Sequence, residues 1–275
     1  MEVQKTVKKY LVLLVLVLIG FLSLGIFLPV SSTGKEQIFS VEKGQGSFKI
    51  AENLEKEGLI SSKLFFSFYI FLAGDQKRLQ AGKYFISPSE SIAKIANKII
   101  SGDTAKITIT IPEGWTQKQI EEALNLKLPG DNLEGYLFPD TYHLPFGATG
   151  EEVVKIMKDN FNKKTADLKI TDDIIIMASL IEKEVRTQED KELVSGILWK
   201  RLKVGMPLQV DVEMWTYKNR GLPPAPIANP GLESILAVLN PKASPYWYYL
   251  SKPDGTTVFS KTLAEHNLAR AKYLK

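Results

Sequence analysis

The chain has 275 residues, of which 44% are hydrophobic and 24% charged, a composition that predicts folded domains with a sizeable core. The formal charge of +4 is too small for a nucleic-acid-binding protein, so no nucleic-acid partner is expected. Cysteine is absent, which excludes disulfides, thiol nucleophiles and Cys-ligated metals. With only His143 and His266 besides, we expect no metal site and no cofactor.

The N-terminus predicts a membrane anchor. Residues 11–28 are almost entirely apolar, and as a helix they span about 27 Å at ~1.5 Å per residue, close to the hydrocarbon thickness of a bilayer. A cleavable signal peptide is the alternative, but its apolar core is shorter and ends at a small-x-small site, which residues 29–32 lack. Lys5, Lys8 and Lys9 precede the stretch. The positive-inside rule therefore predicts a single-pass protein of the cytoplasmic membrane, with its N-terminus inside and its body outside.

After a short polar linker, the pattern predicts a small β-α-α-β unit within residues 35–104. Its first strand alternates, its second helix is strongly apolar and is capped by Ser62, and a further helix follows its second strand. The predicted elements are a strand at 38–41, helices at 48–54 and 64–72, a strand at 82–86 and a helix at 91–100.

Residues 105–275 predict a larger α+β domain. Thr116 and Gln119 have capping-box spacing, Thr171 and the two acids that follow it cap the next helix, and a hairpin surrounds residues 253–255. The predicted elements are a strand at 106–111, a helix to 124, a loop at 129–150, helices at 151–162, from 174, at 191–202 and at 232–239, a proline-rich loop at 221–231, and hairpin strands at 246–250 and 256–259. The whole chain is thus expected to be α+β, divided into 1–34, 35–104 and 105–275.

Glu182 is the candidate general acid. It ends the apolar run 174–181 within one helix, which places its carboxyl at the edge of the core. Desolvation there raises the pKa of a carboxyl, as an acid working near neutral pH requires. The alternative is an ordinary helix ion pair with Arg186, one turn later. Glu184 lies about 200° around the helix from Glu182, so the two do not form a carboxylate pair.

Aromatic and polar side chains elsewhere suggest carbohydrate. The loop 133–142 combines carboxylates with aromatic rings, which suit the apolar faces and hydroxyl edges of sugars, although such loops also cover cores. His266 and Asn267 are a possible donor pair or structural residues. Further stacking surfaces, or alternatively hairpin packing, are offered by Trp215, Tyr217, Tyr246, Trp247 and Tyr248.

Six segments together resemble the YceG-like endolytic murein transglycosylases, and they occur in that family's order along essentially the whole chain. They are residues 111–116, 133–142, 177–184, 201–209, 221–224 with 227–231, and Phe259 with 265–267. The anchor also fits the family, and the small unit is similar to its LysM-like subdomain. Residues 105–275 would then be the YceG-like catalytic domain.

The resemblance implies cleavage of the β-1,4 bond between N-acetylmuramic acid and N-acetylglucosamine within nascent peptidoglycan strands. The first Glu of the Glu-Lys-Glu segment, Glu182, would protonate the leaving oxygen and then take the proton from the muramic C6 hydroxyl. A 1,6-anhydro end results, without water and without the second carboxylate of hydrolases. Peptidoglycan polymerases are the implied protein partners. We assign substrate binding to Glu134, Phe138, Asp140, Thr141, Gln209, Asp211, Tyr217, His266 and Asn267.

The chain departs from the family between Asp211 and Gly221, where members carry a longer segment. Residues 215–217 stand where the family has Asn-Thr-Tyr, so a wall of the substrate groove is shortened or rebuilt. Two alternatives therefore stay open. One is a water-using glycoside hydrolase with Glu182 as acid and Glu134, Asp140 or Asp211 as base. The other is a membrane-tethered wall-binding or scaffold protein that has lost catalysis.

Overall fold

The computed structural model describes residues 2–274, and of Glu2, Val3 and Lys5 it describes the backbone alone. Met1, Lys275 and the side chain of Lys5, which enter the predictions above, lie outside the described residues. The chain forms two compact units. The N-terminal unit runs to Ile107 and includes Pro145–Gly147, and the C-terminal unit comprises Thr108–Leu144 and the residues from Ala148 onward.

The N-terminal apolar stretch is one helix, α1 (Glu2–Phe27). Its segment Thr6–Phe27 is long and apolar enough to cross a membrane, and among the described residues it alone passes that test. Lys8 and Lys9 are exposed on its first turns. Length and composition thus fit the predicted anchor, although a signal sequence has the same properties.

The rest of the N-terminal unit has the predicted order of strands and helices. Its elements are β1 (Gln37–Val41), α2 (Ser47–Lys56), α3 (Lys63–Ala73), β2 (Gly82–Ile86) and α4 (Ile92–Ser101). β1 pairs antiparallel with β2, so that Phe39 lies opposite Tyr84, and both rings are buried in the core of the unit. The predicted cap of α3 is confirmed, since the Ser62 hydroxyl accepts from the Leu64 amide at 3.1 Å.

The C-terminal unit is built mainly of helices. Strand β3, which begins in the last residues of the N-terminal unit, pairs with β4, and β5 pairs antiparallel with β6. The elements are β3 (Lys106–Thr110), α5 (Gln117–Leu124), β4 (Thr141–Pro145), α6 (Gly150–Lys164), α7 (Asp172–Glu184), α8 (Gln188–Lys203), α9 (Trp215–Lys218), α10 (Leu232–Leu239), β5 (Tyr248–Ser251), β6 (Thr257–Ser260) and α11 (Leu263–Tyr273).

Helix α7 is central to this unit, as its apolar sequence predicts. Every residue from Ile175 to Ile181 is buried, and the helix packs against α8 and α10. The Thr171 cap and the capping box of Thr116 with Gln119 are both confirmed. The end of α7 therefore brings Glu182 and Glu184 to the edge of a packed core.

Three predictions of local structure need correction. The loop predicted at 129–150 contains β4, whose Tyr142 and Leu144 alternate into the core while their neighbours face outward. Helix α8 begins before the predicted residue 191, because Thr187 caps it through the Asp190 amide at 3.1 Å. The short helix α9 and the C-terminal helix α11 were not predicted.

Candidate active site

Glu182 lies at the N-terminal end of α10, where it makes three polar contacts. Its Oε2 accepts from the Gly231 amide at 3.0 Å and from the Ser234 hydroxyl at 2.7 Å. Helix α10 has no side-chain cap from its own N-cap residue, Gly231, so Glu182 satisfies its first turn and complements its dipole. The side chain of Glu182 is 8% exposed, which confirms its predicted place at the edge of the core.

The ion-pair partner of Glu182 is Lys191 rather than Arg186. Lys191 Nζ lies 3.5 Å from Glu182 Oε1 and 3.7 Å from Glu233 Oε2, and its side chain is 3% exposed. Glu113 packs against Gly231 nearby, and burial, together with the charge of Glu182, raises the pKa of Glu113. Glu182 is therefore part of a charge cluster that joins α7, α8 and α10.

Glu184, two residues later, enters a different environment. Its Oε1 accepts from the Val212 amide at 3.1 Å, and burial raises the pKa of its carboxyl, with the charge of Asp211 adding to the effect. Its carboxyl lines a cavity, which we call the Glu184 cavity. The other residues that line it include Arg201, Gln209, Asp211, Tyr217, Tyr248, Tyr249, His266, Asn267 and Arg270.

Arg201 holds two walls of the Glu184 cavity together from α8. Its buried guanidinium donates to the Leu208 carbonyl at 2.5 Å and twice to the Trp247 carbonyl, at 2.7 and 2.9 Å. The first bond fixes the segment that leads to Gln209, whose φ of +52° is left-handed, and the others fix the start of β5. The guanidinium also lies 5.2 Å from the Tyr248 ring centroid.

The remaining walls carry polar groups that face the cavity. The Tyr217 hydroxyl donates to the Asp211 carboxylate, and burial together with this bond raises the pKa of Tyr217 to about 12. The His266 ring stacks on Tyr248 with centroids 5.5 Å apart, and burial and the charge of Arg270 lower the pKa of His266. His266 Nδ1 is buried and has no hydrogen-bond partner within residues 2–274, so a ligand can supply one.

The structure brings together five of the predicted substrate-binding residues. Gln209, Asp211, Tyr217, His266 and Asn267 all line the Glu184 cavity, although they come from the loop before α9, from α9 itself and from α11. These side chains come from two separate stretches of the sequence, 209–217 and 266–267, and line the same cavity as Glu184. Such convergence is typical of a ligand site.

The other four predicted residues lie outside the Glu184 cavity. Glu134 lines a separate cavity, Phe138 is 4% exposed in the core, and the Thr141 hydroxyl bonds to that of Thr110 at 2.8 Å. Asp140 accepts from Asn160 Nδ2 and contacts Lys164 Nζ, both at 3.1 Å, and these contacts lower the pKa of Asp140. These contacts suit structural roles.

Asn229 links three of the sequence segments that carry the family resemblance. Its Oδ1 accepts from the Gly135 and Leu137 amides at 2.8 and 2.9 Å, and its Nδ2 donates to the Trp115 carbonyl and to Glu134 Oε1, both at 2.9 Å. The side chain is fully buried and uses every bond it can form. Sequence reasoning did not single out this residue.

Sequence reasoning also missed the place of Glu184 in the site. A usable signal exists, because Glu184 follows Met177, Leu180 and Ile181 by seven, four and three residues. On a helix these positions share one face, and all three preceding side chains are fully buried. Glu184 therefore continues the buried face of α7, as Glu182 continues another part of it.

Within the described residues, no group of His, Asp and Glu is arranged to hold a metal ion.

A half-buried carboxylic acid beside aromatic rings and hydroxyl-binding side chains is a site typical of enzymes that act on carbohydrate. The sequence matches the model of the YceG-like family over residues 39–214 and 215–272, and the chain belongs to that family. The two matched pieces meet within the segment between Asp211 and Gly221 that differs from the family pattern.

Individual relatives agree with this assignment. The chain is 30% identical to an endolytic murein transglycosylase of Bacillus subtilis, over 90% of this chain and 87% of the relative. It is 25% identical to an endolytic murein transglycosylase of Streptococcus pneumoniae strain D39, of which it covers 59%. The crystal structure of a YceG-like protein from Listeria monocytogenes matches 86% of this chain and 100% of its own, with a TM-score of 0.51 and 27% identity.

Proposed function

We propose that the chain is a membrane-anchored lytic transglycosylase that cleaves the β-1,4 bond between N-acetylmuramic acid and N-acetylglucosamine inside peptidoglycan strands. Family membership and the names of the curated relatives support the class of reaction. The observation that carries the assignment of the site is that five of the predicted substrate-binding residues line one cavity together with Glu184.

In this proposal Glu184 is the acid and then the base. Its raised pKa favours the protonated form, which donates its proton to the glycosidic oxygen as the bond from that oxygen to C1 breaks. The resulting carboxylate takes the proton of the muramic C6 hydroxyl, whose oxygen forms the new bond to C1. The products are a free hydroxyl on one fragment and a 1,6-anhydro ring on the other, so no water enters the balance.

The neighbouring groups have separate parts. Gln209, His266 and Asn267 offer polar atoms to sugar hydroxyls and N-acetyl groups. Asp211 disfavours ionisation of Glu184 through its own charge and accepts the Tyr217 hydroxyl. The Val212 amide steadies the carboxylate that forms after the first proton transfer.

Glu182, which the resemblance designates as the acid, is the alternative. Its oxygens bond to Gly231, Ser234 and Lys191, and its carboxyl is not among the groups that line the Glu184 cavity. We therefore propose that Glu182 has a structural role and stabilises the site by holding α10 to α7. The experiment below distinguishes this assignment from the reverse one, in which Glu182 is the acid and Glu184 is structural.

Three further assignments extend the proposal. The positive charges of Lys8 and Lys9, at the N-terminal end of the candidate span in α1, favour a cytoplasmic N-terminus and an extracytoplasmic body. The β1–α2–α3–β2 order of the N-terminal unit supports a LysM-like glycan-binding role. Association with peptidoglycan polymerases rests on the family resemblance.

A water-using hydrolase is a second candidate, because Asp211 places a second carboxylate in the Glu184 cavity. Hydrolysis needs such a residue to activate water. Hydrolysis leaves a reducing end and adds one water to the product mass, whereas transglycosylation leaves an anhydro end.

The test is mass spectrometry of purified glycan strands after incubation with the full-length chain, Glu184→Gln and Glu182→Gln, with thermal unfolding of each protein as a folding control. We expect anhydro ends from the parent chain, none from Glu184→Gln at an unchanged melting temperature, and cleavage by folded Glu182→Gln. Cleavage by Glu184→Gln with loss in a stable Glu182→Gln would reverse the assignment. Reducing ends would identify a hydrolase, and binding without cleavage by the parent chain would identify a wall-binding protein.

A further inference from the structure

Helix α3 of the N-terminal unit exposes a continuous apolar face. The segment from Leu64 to Ala73 contains no charged residue. Phe66 and Ile70 are buried in the core, while the exposed large side chains follow the helical spacing i, i+4, i+7 and i+8. These are Leu64, Phe68, Phe71 and Leu72, with exposed fractions of 66%, 37%, 68% and 67%. In a helix that lies on a core in water, this outer face is normally polar.

This apolar helix packs directly against α1. The Phe65 ring meets the Phe21 ring edge-on with centroids 5.5 Å apart. It also lies on the backbone of Gly25, where an added Cβ would be 2.4 Å from Phe65 Cε2. A glycine therefore permits close contact between the two helices. Alongside this contact runs an apolar groove whose walls include Leu22 of α1 and Leu72 of α3.

The position of the contact along α1 fixes the depth of α3. Phe21 and Gly25, which both contact Phe65, lie six and two residues before Phe27, the last residue of the candidate span, and thus about 9 and 3 Å from it at ~1.5 Å per residue. Helices that lie in the plane of a membrane are buried about 5–10 Å into the boundary of headgroups and acyl chains. If α1 crosses the bilayer, the contact with Phe65 brings α3 to that depth, on the side where the body of the protein lies.

We propose that α3 is a second membrane element, which lies in the outer leaflet beside α1 with its face of Leu64, Phe68, Phe71 and Leu72 against lipid acyl chains. The proposal rests on the membrane anchoring of α1 within the proposed function. Because the apolar surface is continuous from α1 to α3, we expect lipid to contact the exposed face of α3, as it does that of α1. The N-terminal unit is thereby held at the membrane surface by two elements.

The absence of cysteine allows a direct test with single-cysteine variants of the full-length chain in lipid nanodiscs. An environment-sensitive fluorophore is placed at Phe71→Cys in α3, at Leu16→Cys in the middle of α1, and at Lys49→Cys on α2. Lys49 is the matched control, since its side chain is 62% exposed on a helix of the same unit. Quenching is measured with aqueous iodide and with lipids brominated at defined acyl positions.

We expect iodide to quench the Phe71 label several-fold less than the Lys49 label, and brominated lipids to quench it at a shallower depth than the Leu16 label. If the Leu16 label is buried in lipid while the Phe71 label behaves like that of Lys49, α3 is outside the membrane although the anchor stands. Protection of the Phe71 label from both quenchers would indicate a second copy or another protein in place of lipid. An iodide-accessible Leu16 label would overturn the anchor and, with it, the placement of α3.

Discussion

Lys191 is buried between two carboxylates, and its replacement by methionine tests whether Glu182 has a structural role. Its ammonium lies 3.5 Å from Glu182 and 3.7 Å from Glu233, and Glu182 is itself 8% exposed. Removing one partner of a buried pair costs about 3–5 kcal/mol, because the other charge is left uncompensated. Glu182 keeps two hydrogen-bond donors, so we expect the lower limit, about 3 kcal/mol.

That loss converts to a lower melting temperature of about 6–12 °C for a unit of this size. The measurement is calorimetry of the full-length protein in detergent. The matched control is Lys164→Met, whose ion pair with Asp140 is at the surface and contributes at most about 1 kcal/mol. Adding Glu182→Gln to Lys191→Met removes the orphaned charge, so the double variant should melt above Lys191→Met alone.

Glycan cleavage by Lys191→Met, measured well below its melting temperature, completes the test. Because Glu184 is the proposed acid, the rate per folded molecule should stay near that of the parent chain. A variant that melts like Lys164→Met would show that Glu182 does not depend on Lys191. Normal melting combined with loss of cleavage would refute the structural role and place the charge cluster in the chemistry.

Four other substitutions have expected outcomes. Asp211→Asn removes a charge that helps to raise the pKa of Glu184. Because the acid acts in its protonated form, cleavage falls as the pH rises through that pKa, and the alkaline limb of the pH–rate profile should move to lower pH. An unmoved limb contradicts the assignment of Glu184. Gln209→Ala should raise KM about fivefold in steady-state kinetics, because about 1 kcal/mol of hydrogen bonding to the substrate is lost. Asp140→Ala should leave KM unchanged and lower the melting temperature by a few degrees in calorimetry. Gly196→Ala places a Cβ 2.1 Å from the Lys242 carbonyl oxygen, so thermal unfolding should show a loss of about 1–3 kcal/mol.

Local chemistry explains which elements could be predicted from sequence. Ser62, Thr116 and Thr171 each satisfy amides of their own helix within three residues, so their caps depend on nothing distant. Strand β4 instead exists because Tyr142 and Leu144 find a core that other segments build. Its alternation is visible in the sequence, but the neighbouring aromatic and Gly-rich residues conceal it.

The sequence could predict which residues line the Glu184 cavity better than it could predict which glutamate lies among them. Gln209, Asp211, His266 and Asn267 follow from the family resemblance and do converge. The choice between Glu182 and Glu184 depends on what packs against the end of α7. The first turn of α10 and the segment after Gln209 approach it from more than twenty residues away, and helical periodicity contains no information about them.

The buried side chain of Asn229 makes three of the family motifs depend on one another. Through four hydrogen bonds it joins the segments around Trp115, around Glu134 to Leu137, and its own proline-rich loop. These three stretches look like independent signatures in the sequence, yet a single amide requires all of them at once. Their joint presence in a sequence reflects one structural requirement, the hydrogen bonding of Asn229, and does not by itself indicate catalysis. A descendant could keep all three and lose cleavage through Glu184 alone, so a family match and an active enzyme are separate findings in any relative of this chain.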